Sequence, residues 1–319
     1  MVLRGWNLAE EAKNLPPGWT MIRPPGEVAC LLPDGETVWA GGRDGLCCVD
    51  RKTAKVLPPT VGQPRFGYVH AIRKSSSGAL WVAHDGGVAL LQSGKWSPQS
   101  DGPRRAFSLC ELPDGQMLVG IEGGLARWRN GHWTTEKLEG GTGPIGEIDS
   151  LLRDRTGRLW AGSSSPSHGG LRVLENGRWR AFGPDLGLPH PSVNALLEDR
   201  EGTLWVGTGF ASHGGAARLV PGAAHFAAFP LDAPHLGVKV RSLYQDTHER
   251  IWIGLEYDGA LVRDGSSWKW IPPRQGIAGQ EVKVVRQDAD ATFWLGTNSG
   301  LSRFDESASV PDNSLSPIP

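Results

Sequence analysis

Two histidines, His168 and His213, sit in the same short sequence, Ser-His-Gly-Gly, in two corresponding stretches of the chain. Two imidazoles brought together could share a metal or act as proton donor and acceptor. The duplicated context fits two loop-fixing hydrogen bonders equally well. A second set recurs at comparable intervals: Glu27, His70, Phe107, Asp149, Asn194, Arg241 and Lys283. Two places after most of these stands an aliphatic residue: Ile72, Leu109, Leu151, Leu196, Leu243 or Val285. If the segments are strands that converge, polar groups of mixed sign meet at the mouth of an apolar throat. Such a mouth suits a small polar ligand, or a water-filled channel with mutually compensating charges. A third set lies in short variable segments, His84-Asp85-Gly86 and Glu256-Tyr257-Asp258. No linear nucleophile, zinc-protease or phosphate-loop signature is present, and no metal or cofactor is expected.

These residues are positioned by one phrase repeated seven times. Its fullest copy runs from Val193 through Leu196, Asp199, Gly202, Leu204 and Trp205 to Gly207 and Thr208. The tryptophan slot falls at Trp39, Trp81, Leu118, Trp160, Trp205, Trp252 and Trp294, at steps of 37 to 47 residues. Short alternating strands at that period mean radially arranged four-stranded sheets. The fold expected is all-β: a seven-bladed β-propeller of four-stranded antiparallel blades. In each blade the first strand lines the channel, and the tryptophan and a small residue mark the second. A glycine opens the third, and an aromatic residue marks most fourth strands. The variable segments join second to third strands, on the face where binding residues tend to gather. Trp19 lies in a strand-like segment before the first repeat, while the seventh repeat lacks a fourth strand. Residues about 17–23 are therefore expected to complete blade seven and close the ring. One domain is expected over residues 1–305, with a flexible tail over 306–319.

Composition narrows the function. The formal charge is −1, so nothing favours a nucleic-acid backbone. No apolar run is long enough for a membrane-spanning helix. The start lacks the charged end and apolar stretch of a secretory leader. As written the chain reads as cytoplasmic, or as extracytoplasmic if a leader has been removed. Cys30, Cys47, Cys48 and Cys110 form no Cys-x-x-Cys pair and read as small buried hydrophobes. The Asp-x-x-Gly turns at Asp154 and Asp199 read as self-capping turns rather than calcium ligands, because they recur around the ring.

The pattern Val-x-x-Leu-x-x-Asp-x-x-Gly-x-Leu-Trp-x-Gly-Thr, followed by Gly-Leu-x-Arg, resembles the two-component-regulator propeller repeat over about residues 24–305. That resemblance implies a bacterial sensor propeller, often extracytoplasmic, and assigns no catalytic residue. The leading expectation is a non-catalytic, monomeric propeller that binds a small polar ligand or a protein partner. Its recognition residues would come from His70, His84, Asp85, Asp149, His168, Asn194, His213, Arg241, Glu256, Tyr257 and Lys283. One alternative is a lyase or hydrolase using His168, His213 or His70 as acid or base, with Asp149 or Glu256 assisting. The other is a protein-interaction scaffold.

Overall fold

The repeat folds as its period requires. The computed structural model describes residues 14–139, 143–228, 237–273 and 275–308. Their strands form seven four-stranded antiparallel sheets arranged as the blades of a propeller. Blade five is representative, with strands Val193–Glu198, Leu204–Phe210, His213–Leu219 and Ala227–Ala228. Trp19–Ile22 pairs with Gly300–Phe304 and becomes the outer strand of blade seven, so the ring closes as the orphan segment predicts. The Trp19 ring stacks on Phe304 at 4.4 Å across that junction. Trp6 and residues 309–319 of the expected tail lie outside the described residues. The expected tail starts with a 3-10 turn, Glu306–Ala308, in which both Glu306 oxygens accept bonds from Arg250 at 2.8 Å.

One hydrogen bond explains why the repeat couples aspartate to tryptophan. The Trp160, Trp205, Trp252 and Trp294 rings are almost fully buried between blades. Their indole N–H groups donate to Oδ2 of Asp154, Asp199, Asp246 and Asp288 at 2.8–2.9 Å. The other carboxylate oxygen of Asp199 accepts the amides of Glu201 and Thr203, tying down the turn. A carboxylate satisfied by three donors can be buried at little cost. Blade three lacks both partners: Leu112 stands at the aspartate position and Leu118, fully buried, in the tryptophan slot.

The small residue two places after the tryptophan is set by the neighbouring blade. A Cβ on Gly162 or Gly207 would come within 2.6 or 2.5 Å of the Val193 or Val240 side chain of the next first strand. Blade two carries Ala83 instead, and the corresponding residue of blade three shrinks to Ala106.

A second contact fastens consecutive blades at the first turn. The amide after the turn's opening residue donates to the side chain that ends the next blade's first strand. This occurs for Ser76 to Glu111, Arg155 to Glu198, Arg200 to Gln245 and Thr247 to Gln287. Between blades three and four the donor position is Pro113, which has no N–H, and Arg153 stands where an acceptor would be.

The four thiols are unpaired. Burial raises all of them, Cys30 and Cys47 to about 12, so they stay protonated and act as packing residues.

Candidate functional site

The polar ring found in sequence lies at the entries of the first strands, and backbone irregularity presents much of it. In blades two, five, six and seven the ladder shifts register at the ring residue: His70, Asn194, Arg241 and Lys283 are each skipped by the partner strand. A bulge leaves a residue outside the pairing and re-aims its side chain. Phe107 and Asp149 stand just before the first paired residue of blades three and four, their amides bonded to Gly120 and Gly162. Blade one differs from the expected alignment. The register position there belongs to Ala29, whose amide bonds to Gly41. Glu27 lies two residues earlier, in a second tier that stands two positions before the ring in each of the other blades: Tyr68, Arg105, Glu147, the fully buried Ser192, Lys239 and Glu281.

The two tiers interlock across blades six, seven, one and two. Glu256, from the second-to-third-strand loop of blade six, faces Arg241 at 3.2 Å and Lys239 at 3.6 Å. Arg241 also pairs with Glu281, and Lys283 lies 3.6 Å from Glu281 and 2.9 Å from Glu27. Glu27 accepts a further bond from the Tyr68 hydroxyl at 2.6 Å and meets Arg43 at 2.5 Å. Glu27, Glu256 and Glu281 are 3%, 7% and 7% exposed, so these carboxylates depend on their cations. Burial pushes the Glu27 carboxyl up, but Tyr68, Lys283 and Arg43 outweigh it and hold the group below the usual carboxylate range. Burial lowers the Lys239 ammonium. Burial and the Glu27 charge push the Tyr68 phenol up.

Blades two and three present a different wall. Tyr68 lies 4.8 Å from His70 and His70 5.0 Å from Phe107, ring to ring. His70 Nε2 meets Asp85 at 2.9 Å, and that bond, outweighing partial burial, holds the Asp85 carboxyl down. Arg105 reaches Asp85 at 3.5 Å and lies over Phe107 at 5.0 Å.

Blades four and five stand outside this network. Asp149 accepts the amide and hydroxyl of Ser164 at 2.8 and 2.7 Å, and burial raises its carboxyl. Asn194 donates to the Gly209 carbonyl, while its buried side-chain oxygen has no protein partner.

Four further expected site residues, His84, His168, His213 and Tyr257, also sit apart from the ion-pair network. His84 Nδ1 accepts the Gly86 amide at 3.0 Å, which fixes its own loop, and burial lowers its imidazole. The two Ser-His-Gly-Gly segments are not equivalent. His168 lies in an open loop beside Ser167, its carbonyl accepting the Gly146 amide. His213 is the first residue of a strand, paired with Phe210 in a tight hairpin, because blade five extends its second and third strands. Each histidine is exposed and meets the hydroxyl of the preceding serine. Tyr257 is 56% exposed at a backbone φ of +76°, a costly conformation for an aromatic residue. Among the described residues no group of three or more His, Cys, Asp and Glu is arranged to hold a metal.

Sequence reasoning overlooked the second tier, although period 2 counted back from each ring residue reaches Tyr68, Arg105, Lys239 and Glu281. His190 was also overlooked. Burial, with the His213 and Lys239 charges nearby, lowers its imidazole. On the opposite face, a cavity of about 600 Å³ opens between blades four and five, lined by Arg155, Arg158, Glu175, Glu198 and Glu201 among others. Arg155 is already engaged there by Glu198 and by the Asp199 and Arg200 carbonyls.

Fold and motif together define a seven-bladed propeller built on one repeat. Residues 187–210 match the family model described as two component regulator propeller, and the chain carries that repeat. Among curated protein sequences none matches the chain. Two extracellular domains from B. thetaiotaomicron, each described as belonging to a putative hybrid two component system, share the fold. The first is 16% identical with a TM-score of 0.76, over 96% of this chain and 46% of that one. The second is 19% identical with a TM-score of 0.72, over 91% and 40%. The chain thus spans less than half the length of either. An inactive virginiamycin B lyase variant from Staphylococcus aureus, solved with quinupristin, is 12% identical with a TM-score of 0.68, over 89% and 98%. At these identities the likeness is one of fold. No helix among the described residues is long and apolar enough to cross a membrane.

Proposed function

We propose that the protein is a ligand-binding propeller that receives a small polar molecule at the channel mouth, on the face of the second-to-third-strand loops. The observation that carries this reading is the two-tier mouth. Four first strands break their ladders at the residues that line it, and three carboxylates are buried there against lysines and arginines. A fold that needed only a stable channel would be served as well by apolar residues at those positions. The repeat type and the extracellular sensor neighbours favour a role as the sensing part of a bacterial signalling system, placed outside the cytoplasm. The His168 and His213 rings each meet the hydroxyl of the preceding serine rather than a carboxylate, which favours binding over catalysis.

The test is a thermal-shift screen of a metabolite panel against wild type and His70→Phe. The variant keeps a ring between Tyr68 and Phe107 and removes only the polar group. Compounds that stabilise wild type should stabilise the variant less. Equal stabilisation of both proteins would place binding elsewhere and remove the reading.

A further inference from the structure

The mouth has cations of two kinds, and the difference points to the charge of its ligand. Lys239, Arg241 and Lys283 are deeply set, their side chains 10%, 27% and 14% exposed, and each is held between carboxylates or against one. Moving Arg241 or Lys283 would take a cation from two buried carboxylates at once, and moving Lys239 would take one of the two that hold Glu256. Arg43 and Arg105 are different. Their side chains are 73% and 52% exposed. Arg43 serves Glu27, but that carboxylate keeps Lys283 and the Tyr68 hydroxyl if Arg43 turns away. Arg105 touches Asp85 only at 3.5 Å, and Asp85 keeps His70 at 2.9 Å if Arg105 turns away. Each guanidinium can therefore be redirected without orphaning its present partner.

The two flank blade two, Arg43 on the loop of blade one and Arg105 at the entry of blade three. Between them runs the row Tyr68, His70 and Phe107, with successive centroids 4.8 and 5.0 Å apart. A guanidinium matches the geometry of carboxylate or phosphate oxygens, and the half-buried Tyr68 and His70 rings offer an aromatic surface for a flat ring. We propose that the sector of the mouth over blades one to three binds an organic oxyanion, a carboxylate or phosphate carried on a flat ring, with Arg43 and Arg105 as its clamp. This rests on the channel-mouth reading above and adds the chemical class of the ligand.

Isothermal titration at low salt with five probes tests it: benzoate, phenyl phosphate, inorganic phosphate, benzylamine and glucose. Benzoate and phenyl phosphate should bind wild type, and raising salt should weaken them. Arg43→Gln/Arg105→Gln should weaken both at least tenfold while keeping the unliganded melting temperature, since both side chains are mostly exposed. His70→Phe should weaken them less, because the ring is retained. Benzylamine carries the same ring with the opposite charge and should not bind. If benzylamine or glucose binds instead, and His70→Phe weakens it, the mouth reading stands and the oxyanion assignment falls. Inorganic phosphate binding as tightly as phenyl phosphate would show an adventitious anion site and overturn the assignment. If no probe binds, or binding survives the double arginine change, the assignment is wrong.

Discussion

Replacing Trp205 by phenylalanine should destabilise the protein by about 2.5–4 kcal/mol, and by about 1–2 kcal/mol less in a background that already lacks Asp199. The Trp205 ring is 1% exposed and its N–H lies 2.8 Å from Asp199 Oδ2. A hydrogen bond to a charged acceptor contributes about 1.5–3 kcal/mol, and the smaller ring adds about 1 kcal/mol of lost packing. Asp199→Ala removes the acceptor for that N–H and for the Glu201 and Thr203 amides, so about 3–5 kcal/mol is expected. The double variant leaves no buried indole N–H without a partner. Its cost should fall short of the sum of the singles by about 1–2 kcal/mol. Blade three is the natural form of that double change, with Leu112 and Leu118 at the two positions. The assay is urea unfolding followed by circular dichroism and fluorescence, with coincident transitions as the condition for quoting a free energy. Costs that add to within about 0.3 kcal/mol would show that the Asp–Trp bond does not couple turn and seam.

Removing residues 1–23 should lower the melting temperature by many degrees, because it exposes the Gly300–Phe304 edge of blade seven; an unchanged melt would show that the ring closes without that strand. Glu198→Ala, which loses the Arg155 amide and guanidinium, should cost about 1–2 kcal/mol, whereas Arg153→Ala, at the seam interrupted by Pro113, should stay within about 0.5 kcal/mol in the same titration. Glu27 has a folded pKa below its ordinary value, so its contribution is complete above about pH 4.3 and is lost as pH falls through the folded value. Glu27→Gln should therefore flatten the acid limb of a melting-temperature profile between pH 3 and 8. Asp149 runs the other way: its raised carboxyl favours the fold at low pH and loses that advantage as pH rises through the folded value. Asp149→Asn, which can still accept the Ser164 amide, should be neutral or stabilising at pH 8 in the same profile.

The architecture was readable in sequence because each blade repeats one physical solution. The tryptophan slot, the following small residue and the glycine opening most third strands recur at fixed offsets. The orphan Trp19 segment matched the strand missing from blade seven. What periodicity could not supply was the reason for the motif, since the Asp199–Trp205 bond joins two features that read separately as a turn and a core residue. The mouth was half legible. Residue types at ring positions stood out, but the bulges at His70, Asn194, Arg241 and Lys283 carry no sequence mark. In blade one the turn glycine, Gly35, follows the register position by six residues, against eight from Asp149 to Gly157 in blade four, which displaced the alignment from Ala29 to Glu27. Loop length misled at His213, where a strand extension turns an apparent loop into a hairpin tip.

The most direct measurement is a crystal structure of the protein soaked with the strongest hit of the metabolite screen. The account predicts ligand density at the channel mouth, touching ring residues such as His70 and Arg105 from at least two blades. Density confined to the cavity between blades four and five on the opposite face, with the mouth unchanged, would contradict it.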